Sequence, residues 1–234
     1  LEEFFRALRI RYQVSLPEGI KDEMKTGSWG CYARHPGQIE PFLMLAVIFG
    51  LTGRKDVKTI AAEYMLTLLP GAADYLVPVY SGRENLEQSL RQQSFWEREK
   101  RRLMNLLRHT VSRDEAYDRN IQALVSLSDF VEQGGVVFIT PQMGQGASGW
   151  QKGIGRMIDG IDSKANVMIC PMNVVGRLGM MGFLTGGSYQ VYLGQPLSLA
   201  DLLNQVDKFK PENNQRAAVI TNVLKSYYEQ VFGV

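Results

Sequence analysis

Histidine is almost missing from this chain, with only His35 and His109 in 234 residues. That all but excludes a multi-histidine metal centre and leaves a very short list of candidates for a general base. Cysteine is equally scarce. Cys31 and Cys170 show no metal-ligand spacing, and two cysteines make no disulfide framework, which points to a reducing compartment. Long apolar runs are missing too. The longest, Phe42 to Leu51, has ten residues, about half of the roughly 20 that cross a bilayer. No signal-peptide pattern is visible. The sequence starts at Leu1 rather than Met, so an upstream leader or anchor stays open. Charge of one sign is lacking as well. Lys and Arg number 26 against 24 Asp and Glu, and a net charge of +2 gives no ground for a nucleic-acid partner. There are no internal repeats and no low-complexity linker.

What is present fits one large globular domain, or a domain with a small helical appendage: 45% of the residues are hydrophobic. Residues 1–13 and 17–26 read as short amphipathic helices. Strands are expected at 30–34, 57–62, 75–81, 134–140, 166–174 and 188–197. The apolar segment 39–50 reads as a buried helix, and 84–109 and 114–133 as two long polar ones. Ser198 suits an N-cap. Residues 211–232 close the chain as a helix, with Pro211 in its first turn. Strands alternating with helices predict a single α/β domain, its mixed, largely parallel sheet flanked by helices.

One loop invites a cofactor assignment. Gly144-Gln145-Gly146-Ala147-Ser148-Gly149 is formally G-x-G-x-x-G. In a dinucleotide site, however, the strand runs straight into the first glycine, and an acidic residue after the second strand holds the ribose. Here Pro141-Gln142-Met143 intervenes, and the next strand leads to Pro171-Met172-Asn173 without a carboxylate. No G-K-[ST] follows, so the loop is not a P-loop, and its serine lacks the second spacer of a nucleophile elbow.

The stretch Cys31-Tyr-Ala-Arg-His35-Pro-Gly-Gln-Ile-Glu40-Pro-Phe42 carries chemistry. His35 follows a short strand, Pro36 and Gly37 turn the chain, and Glu40 heads the apolar helix. A carboxylate that accepts from one ring nitrogen fixes the tautomer and leaves the other nitrogen as a base. The pair taken alone also fits a loop histidine beside an acid favoured by the helix dipole.

His-x4-acid ahead of a Pro and an apolar helix resembles the first block of the glycerolipid acyltransferases, the glycerol-3-phosphate and lysophosphatidic acid acyltransferases. The resemblance continues in order. Residues 57–86 resemble the second block and end near Arg83. The segment 134–145 stands where the family has its strand and Phe-Pro-Glu-Gly-type turn. Lys152-Gly-Ile-Gly-Arg156 matches the start of the helix after it. Val167 to Val174 resembles a fourth block, a strand ending at Pro171, and Tyr189 to Leu197 a late strand ending in Gly-x-Pro. The insert 84–133 is closest to the soluble plastid-type glycerol-3-phosphate acyltransferases.

The resemblance implies a small N-terminal helical segment (1–27) and an acyltransferase-like α/β domain (28–234). His35 and Glu40 would be catalytic. Arg83, Gln142, Gly144, Gln145 and Lys152 would bind substrate. The substrates would be an acyl donor, acyl-CoA or acyl carrier protein, and a phosphorylated or lipid acceptor. No metal or redox cofactor is required. The location would be cytoplasmic or plastid-stroma-like, with peripheral membrane contact.

The chain departs from the family in two places. Glu40 stands for the usual Asp. In the third block, Gln142, Met143 and Gln145 replace the acid-glycine and the following arginine. Gln145 hydrogen-bonds but carries no charge, whereas Arg suits bidentate phosphate contact. Either Arg83 and Lys152 hold an acceptor phosphate, or the acceptor has a neutral or larger headgroup. A lapsed enzyme that only binds lipid or acyl chains is the alternative function.

Two further segments bear on membranes. Residues 96–113 combine Arg98, Lys100, Arg101, Arg102, Arg108 and Arg113 with a stripe of Leu103, Leu106, Leu107 and Val111. Such a helix suits an anionic membrane surface, an acidic carrier protein, or simple packing on the core. Met180, Met181, Phe183 and Leu184, in 177–187, suit an acyl groove or ordinary packing. Titration with NADH or FMN, followed by cofactor fluorescence, is expected to show no saturable binding. Saturation at micromolar concentrations would restore the dinucleotide assignment.

Overall fold

Strand β2 (Ser28–Ala33) is buried from Trp29 onward. A strand with no polar face belongs inside a sheet that is covered on both sides. It pairs in parallel with β5 (Val136–Ile139), Tyr32 opposite Ile139, and with β6 (Val167–Gly176), Cys31 opposite Cys170. The structure, a computed structural model, describes residues 11–34, 40–68, 70–80, 111–142, 149–176 and 187–234. These residues fall into two compact units, Leu1–Val57 with Leu127–Val234, and Lys58–Ser126.

In the first unit five strands run in the order β1-β7-β6-β2-β5. β1 (Arg11–Ser15) is parallel to β7 (Ser188–Leu193), which is antiparallel to β6. The two-residue β8 (Leu197–Ser198) pairs with the start of β6, also antiparallel. This is the mixed, largely parallel α/β sheet that the sequence predicts.

Its helices follow from their patterns. The described side chains of α2 (Glu40–Thr52) include a run, Leu43 to Ile48, that is wholly buried. α6 (Leu199–Asp207) buries Leu199, Leu202, Leu203 and Val206, one helical stripe. The Ser198 hydroxyl accepts from the Asp201 N–H at 3.0 Å, the expected N-cap. α7 (Asn213–Phe232) buries Ile220, Thr221, Leu224 and Tyr228. α5 (Gly153–Asp159) approaches α7 so closely that a Cβ on Gly155 would lie 1.9 Å from the Ala217 carbonyl oxygen.

At the amino ends of β2 and β5 the Arg54 guanidinium donates to the carbonyls of Gly27 (2.6 Å) and Gly134 and pairs with Asp56. Arg54 holds the Asp56 carboxyl below the usual carboxylate range. Gly134 needs the freedom of glycine there, with φ at 100°.

The second unit contains β3 (Val57–Ala62) from Lys58 onward and β4 (Leu76–Val79), which are parallel. Between them lie α3 (Tyr64–Leu68) and a 3-10 helix, Pro70–Tyr75. Most of α4 (Arg113–Glu132) belongs here too. The Asn120 amide exchanges two hydrogen bonds with the Tyr80 backbone, at 2.7 and 3.0 Å, and so fixes the chain beyond β4.

Four local expectations are corrected. Residues 11–13 are strand rather than helix, because β1 pairs with β7 and alternates exposed Arg11, Gln13 and Ser15 with half-buried Tyr12 and Val14. The helix expected over 17–26 shrinks to α1 (Ile20–Glu23), bounded by Gly19 and Gly27, both at positive φ. β6 does not stop at Pro171 but runs on to Gly176. The break between β7 and β8 stands opposite Cys170 and Pro171, and the Pro171 carbonyl accepts from Gly194 N–H at 2.8 Å. A strand tolerates Pro where its missing N–H faces such a break. Pro211 precedes α7 instead of lying in its first turn, because Glu212 is the N-cap, its carbonyl accepting from Gln215 and Arg216.

Gly155→Ala is expected to destabilise the protein by about 3 kcal/mol or more, since backbone cannot yield as a side chain does. The measure is the urea midpoint at unchanged m value. A midpoint like that of the wild type would show that α5 does not sit this close to α7.

Candidate active site

Because β2 and β5 are parallel neighbours, the chain leaves both at the same edge of the sheet. Arg34 and then His35 follow β2, and Thr140, Pro141 and Gln142 follow β5. The carboxyl edge of parallel strands is where open α/β sheets bind ligands. Glu40 is the first residue of α2, as an acid heading the helix requires. His35, Arg83, Gly144 and Gln145 lie outside the described residues, as does the side chain of Glu40.

The two ends of the 143–149 segment are tied together. Gln142 and Trp150 form an antiparallel bridge, and the Gln151 N–H donates to the Pro141 carbonyl at 2.7 Å. Gln142 is half-buried. Lys152 is exposed and is the N-cap residue of α5, its carbonyl accepting from Arg156 N–H at 2.9 Å.

Sequence reasoning missed the side chains that hold this edge together. Trp150, Tyr32 and Tyr228 pack edge to face or tilted, with ring centroids 5.7 to 6.2 Å apart, and Phe232 meets Tyr228 at 4.8 Å. Such contacts add about 0.5–1.5 kcal/mol each beyond the area they bury. Tyr32 hydroxyl donates to the Leu224 carbonyl at 3.2 Å. Tyr228 hydroxyl donates to Asn173 Oδ1 at 2.9 Å. The Arg34 guanidinium lies over the Tyr228 ring, 5.4 Å from its centre, and bonds Glu229 at 3.3 Å.

Burial pushes the Tyr228 phenol up to about 12, although the charge and the backbone hydrogen bond of Arg34 pull the other way. Burial also raises the Tyr32 phenol. The signals in the sequence were the rarity of Trp, three in the chain, and a tyrosine spaced at i+8 from Ile220 on the buried face of the last helix.

The two cysteines are free and buried. The hydrogen bond with Cys31, and then burial, raise the Cys170 thiol well above its ordinary value. A thiol in that state is no nucleophile at neutral pH. Among the described residues no group of three or more His, Cys, Asp or Glu could hold a metal. Among the same residues no helix is long and apolar enough to cross a membrane.

No family model matches the chain, and no curated protein matches it in sequence. Among solved structures it is similar to the crystal structure of the 1-acyl-sn-glycerophosphate (LPA) acyltransferase PlsC from Thermotoga maritima. The TM-score is 0.46 and the identity 11%, over 100% of this chain and 77% of that one.

Tyr228→Phe is expected to cost roughly 1–3 kcal/mol at pH 7, since it removes the bond to Asn173 and leaves Asn173 Oδ1 without that donor. The same variant tests the titration. A phenol whose folded pKa is raised favours folding below the unfolded value of 10. That contribution is lost as pH rises toward about 12. Urea melts from pH 9 to 11 should therefore show a flatter alkaline decline in the variant; parallel curves would contradict the assignment.

Proposed function

We propose that this chain is an acyltransferase. It moves a fatty acyl group from a thioester, acyl-CoA or acyl carrier protein, to a hydroxyl of glycerol-3-phosphate or of a lysophospholipid-like acceptor. The observation that carries this proposal is the ordered series of blocks from His35–Glu40 to Gly194-Gln195-Pro196. Two features of the framework support it. The first block follows β2 and ends at the start of α2, and the third contains β5, the parallel neighbour of β2. Glu40 heads α2, where a carboxylate belongs.

In the proposed reaction the free imidazole nitrogen of His35 takes the proton of the acceptor hydroxyl. The oxygen attacks the thioester carbonyl, and the tetrahedral oxyanion forms against backbone N–H groups near Gly144. The intermediate then collapses. The carbon–sulfur bond breaks, the ester carbonyl re-forms, and the departing thiolate takes the proton back from the imidazolium. Glu40 holds the tautomer and offsets the transient positive charge. Arg83 and Lys152 are the cations proposed for substrate phosphates. The basic segment 96–113 is proposed to bring the protein to the surface of a membrane, the natural location of lysophospholipid acceptors.

The test is thioester turnover by the purified protein. The donors are a long-chain acyl-CoA and an acyl carrier protein, each with glycerol-3-phosphate or a lysophospholipid. Thiol release is expected only with an acceptor present, and His35→Ala is expected to lower it roughly 10²–10⁴-fold, the usual contribution of a general base. Tight acyl-chain binding without turnover for any donor and acceptor would instead favour a lipid-binding protein, with Gln142 and Gln145 as the departures behind the lost chemistry.

A further inference from the structure

We infer that Arg34 is an anion subsite for a phosphomonoester group at the carboxyl edge of β2. Nothing in the block resemblance assigns this residue. Arg34 directly follows β2, one residue before His35 in the chain. Its guanidinium lies over the Tyr228 ring, 5.4 Å from the ring centre. The side chain is therefore aligned without being electrically satisfied.

Three observations show the deficit. Arg34 Nε is buried and has no hydrogen-bond partner among the described residues. The bond from Nη2 to Glu229 Oε1 is 3.3 Å, longer than the 2.7–2.9 Å of a strong charge-assisted bond. The same carboxylate oxygen is approached by Lys225 Nζ at 3.8 Å. Two cations thus share one carboxylate, and these three side chains together leave one positive charge at an edge where α/β sheets bind ligands.

The group that corrects this is a planar-matching anion with several oxygens. Turning of the Arg34 side chain, 36% exposed as a whole, would bring its buried Nε and one Nη to two oxygens of a phosphate and release Glu229 to Lys225. Arg is the side chain suited to that bidentate contact. Glu229 then acts as a resident competitor that occupies the arginine until the anion arrives. Whether the phosphate belongs to the acceptor or to a coenzyme A donor is a question that rests on the acyl-transfer proposal. The binding itself does not.

The experiment is binding without turnover, by calorimetry, with inorganic phosphate, glycerol-3-phosphate and coenzyme A as separate probes. The proteins are wild type, Arg34→Gln, Arg34→Lys and Glu229→Gln, with thermal melts of each. Arg34→Gln should weaken the responding probe by roughly tenfold or more, and Arg34→Lys by less. Glu229→Gln should tighten it by roughly threefold, because a competing carboxylate is gone. Opposite signs from the two partners of one ion pair cannot come from a loss of fold.

A response to glycerol-3-phosphate alone assigns the acceptor, and one to coenzyme A alone the donor. No binding of any probe would overturn the inference. So would unchanged affinity in both Arg34 variants, or weakening by Glu229→Gln. Should Arg34→Gln fail to fold, Arg34→Lys and Glu229→Gln still decide the matter. Binding that depends on Arg34 in a protein without thioester turnover would overturn the transferase proposal and leave this one standing.

Discussion

The carboxyl edge of the first unit depends on the hydroxyl of Tyr228. That one group donates to Asn173 on β6 and is carried by the last helix, α7, and its ring lies under the Arg34 guanidinium just beyond β2. Its ring meets Trp150 at the end of the tied loop and Tyr32 on β2. A phenol suits this place because it is both donor and acceptor and brings a large apolar body with it. The bond to Asn173 offsets part of the cost of burying the phenol oxygen. Two segments that sequence spacing alone cannot bring together, those beginning at Arg34 and ending at Trp150, are thereby referred to one rigid ring.

The opposite edge has its own clamp. Arg54 gathers the carbonyls of Gly27 and Gly134 with the Asp56 carboxylate, and the Asp56 backbone carbonyl accepts from Val136 N–H at 3.0 Å. The amino ends of β2 and β5 are thus fixed in register by one guanidinium. Register matters because a one-residue slip would reverse every side chain. With both ends held, the segments leaving β2 and β5 start from defined positions, and a site built on the turns between rigid elements needs that.

Much of this was legible in the sequence, for reasons that can be named. β2, β5 and α2 are apolar all round, so their burial follows from composition, and Ser198 announced its cap. The α/β class followed from the alternation of strands and helices. β1 was misread although Arg11-Tyr-Gln-Val-Ser15 alternates with period two, because the run is short and merges with an amphipathic stretch before it. The strand through Pro171 was read from its apolar run, 166–174, whereas the block resemblance ended it at Pro171; what lets Pro171 sit there is a gap in the neighbouring strand that no local pattern records. For the candidate site, His35 and Glu40 are proposed from residue type and spacing alone. The support from Arg34, Trp150, Tyr228 and Glu229 rests on contacts far apart in sequence, Arg34 with Tyr228 and Glu229, and Trp150 with Tyr228.

The central claim is that His35 works as a base whose tautomer is fixed by Glu40. With only two histidines, ¹⁵N-imidazole NMR can observe His35 with His109 as an internal reference. A single dominant tautomer at His35 is expected at neutral pH. Glu40→Gln should lower the His35 pKa and mix the tautomers, while His109 stays unmoved. A His35 signal that titrates and exchanges tautomers alike with Glu40 or Gln at position 40 would contradict the claim.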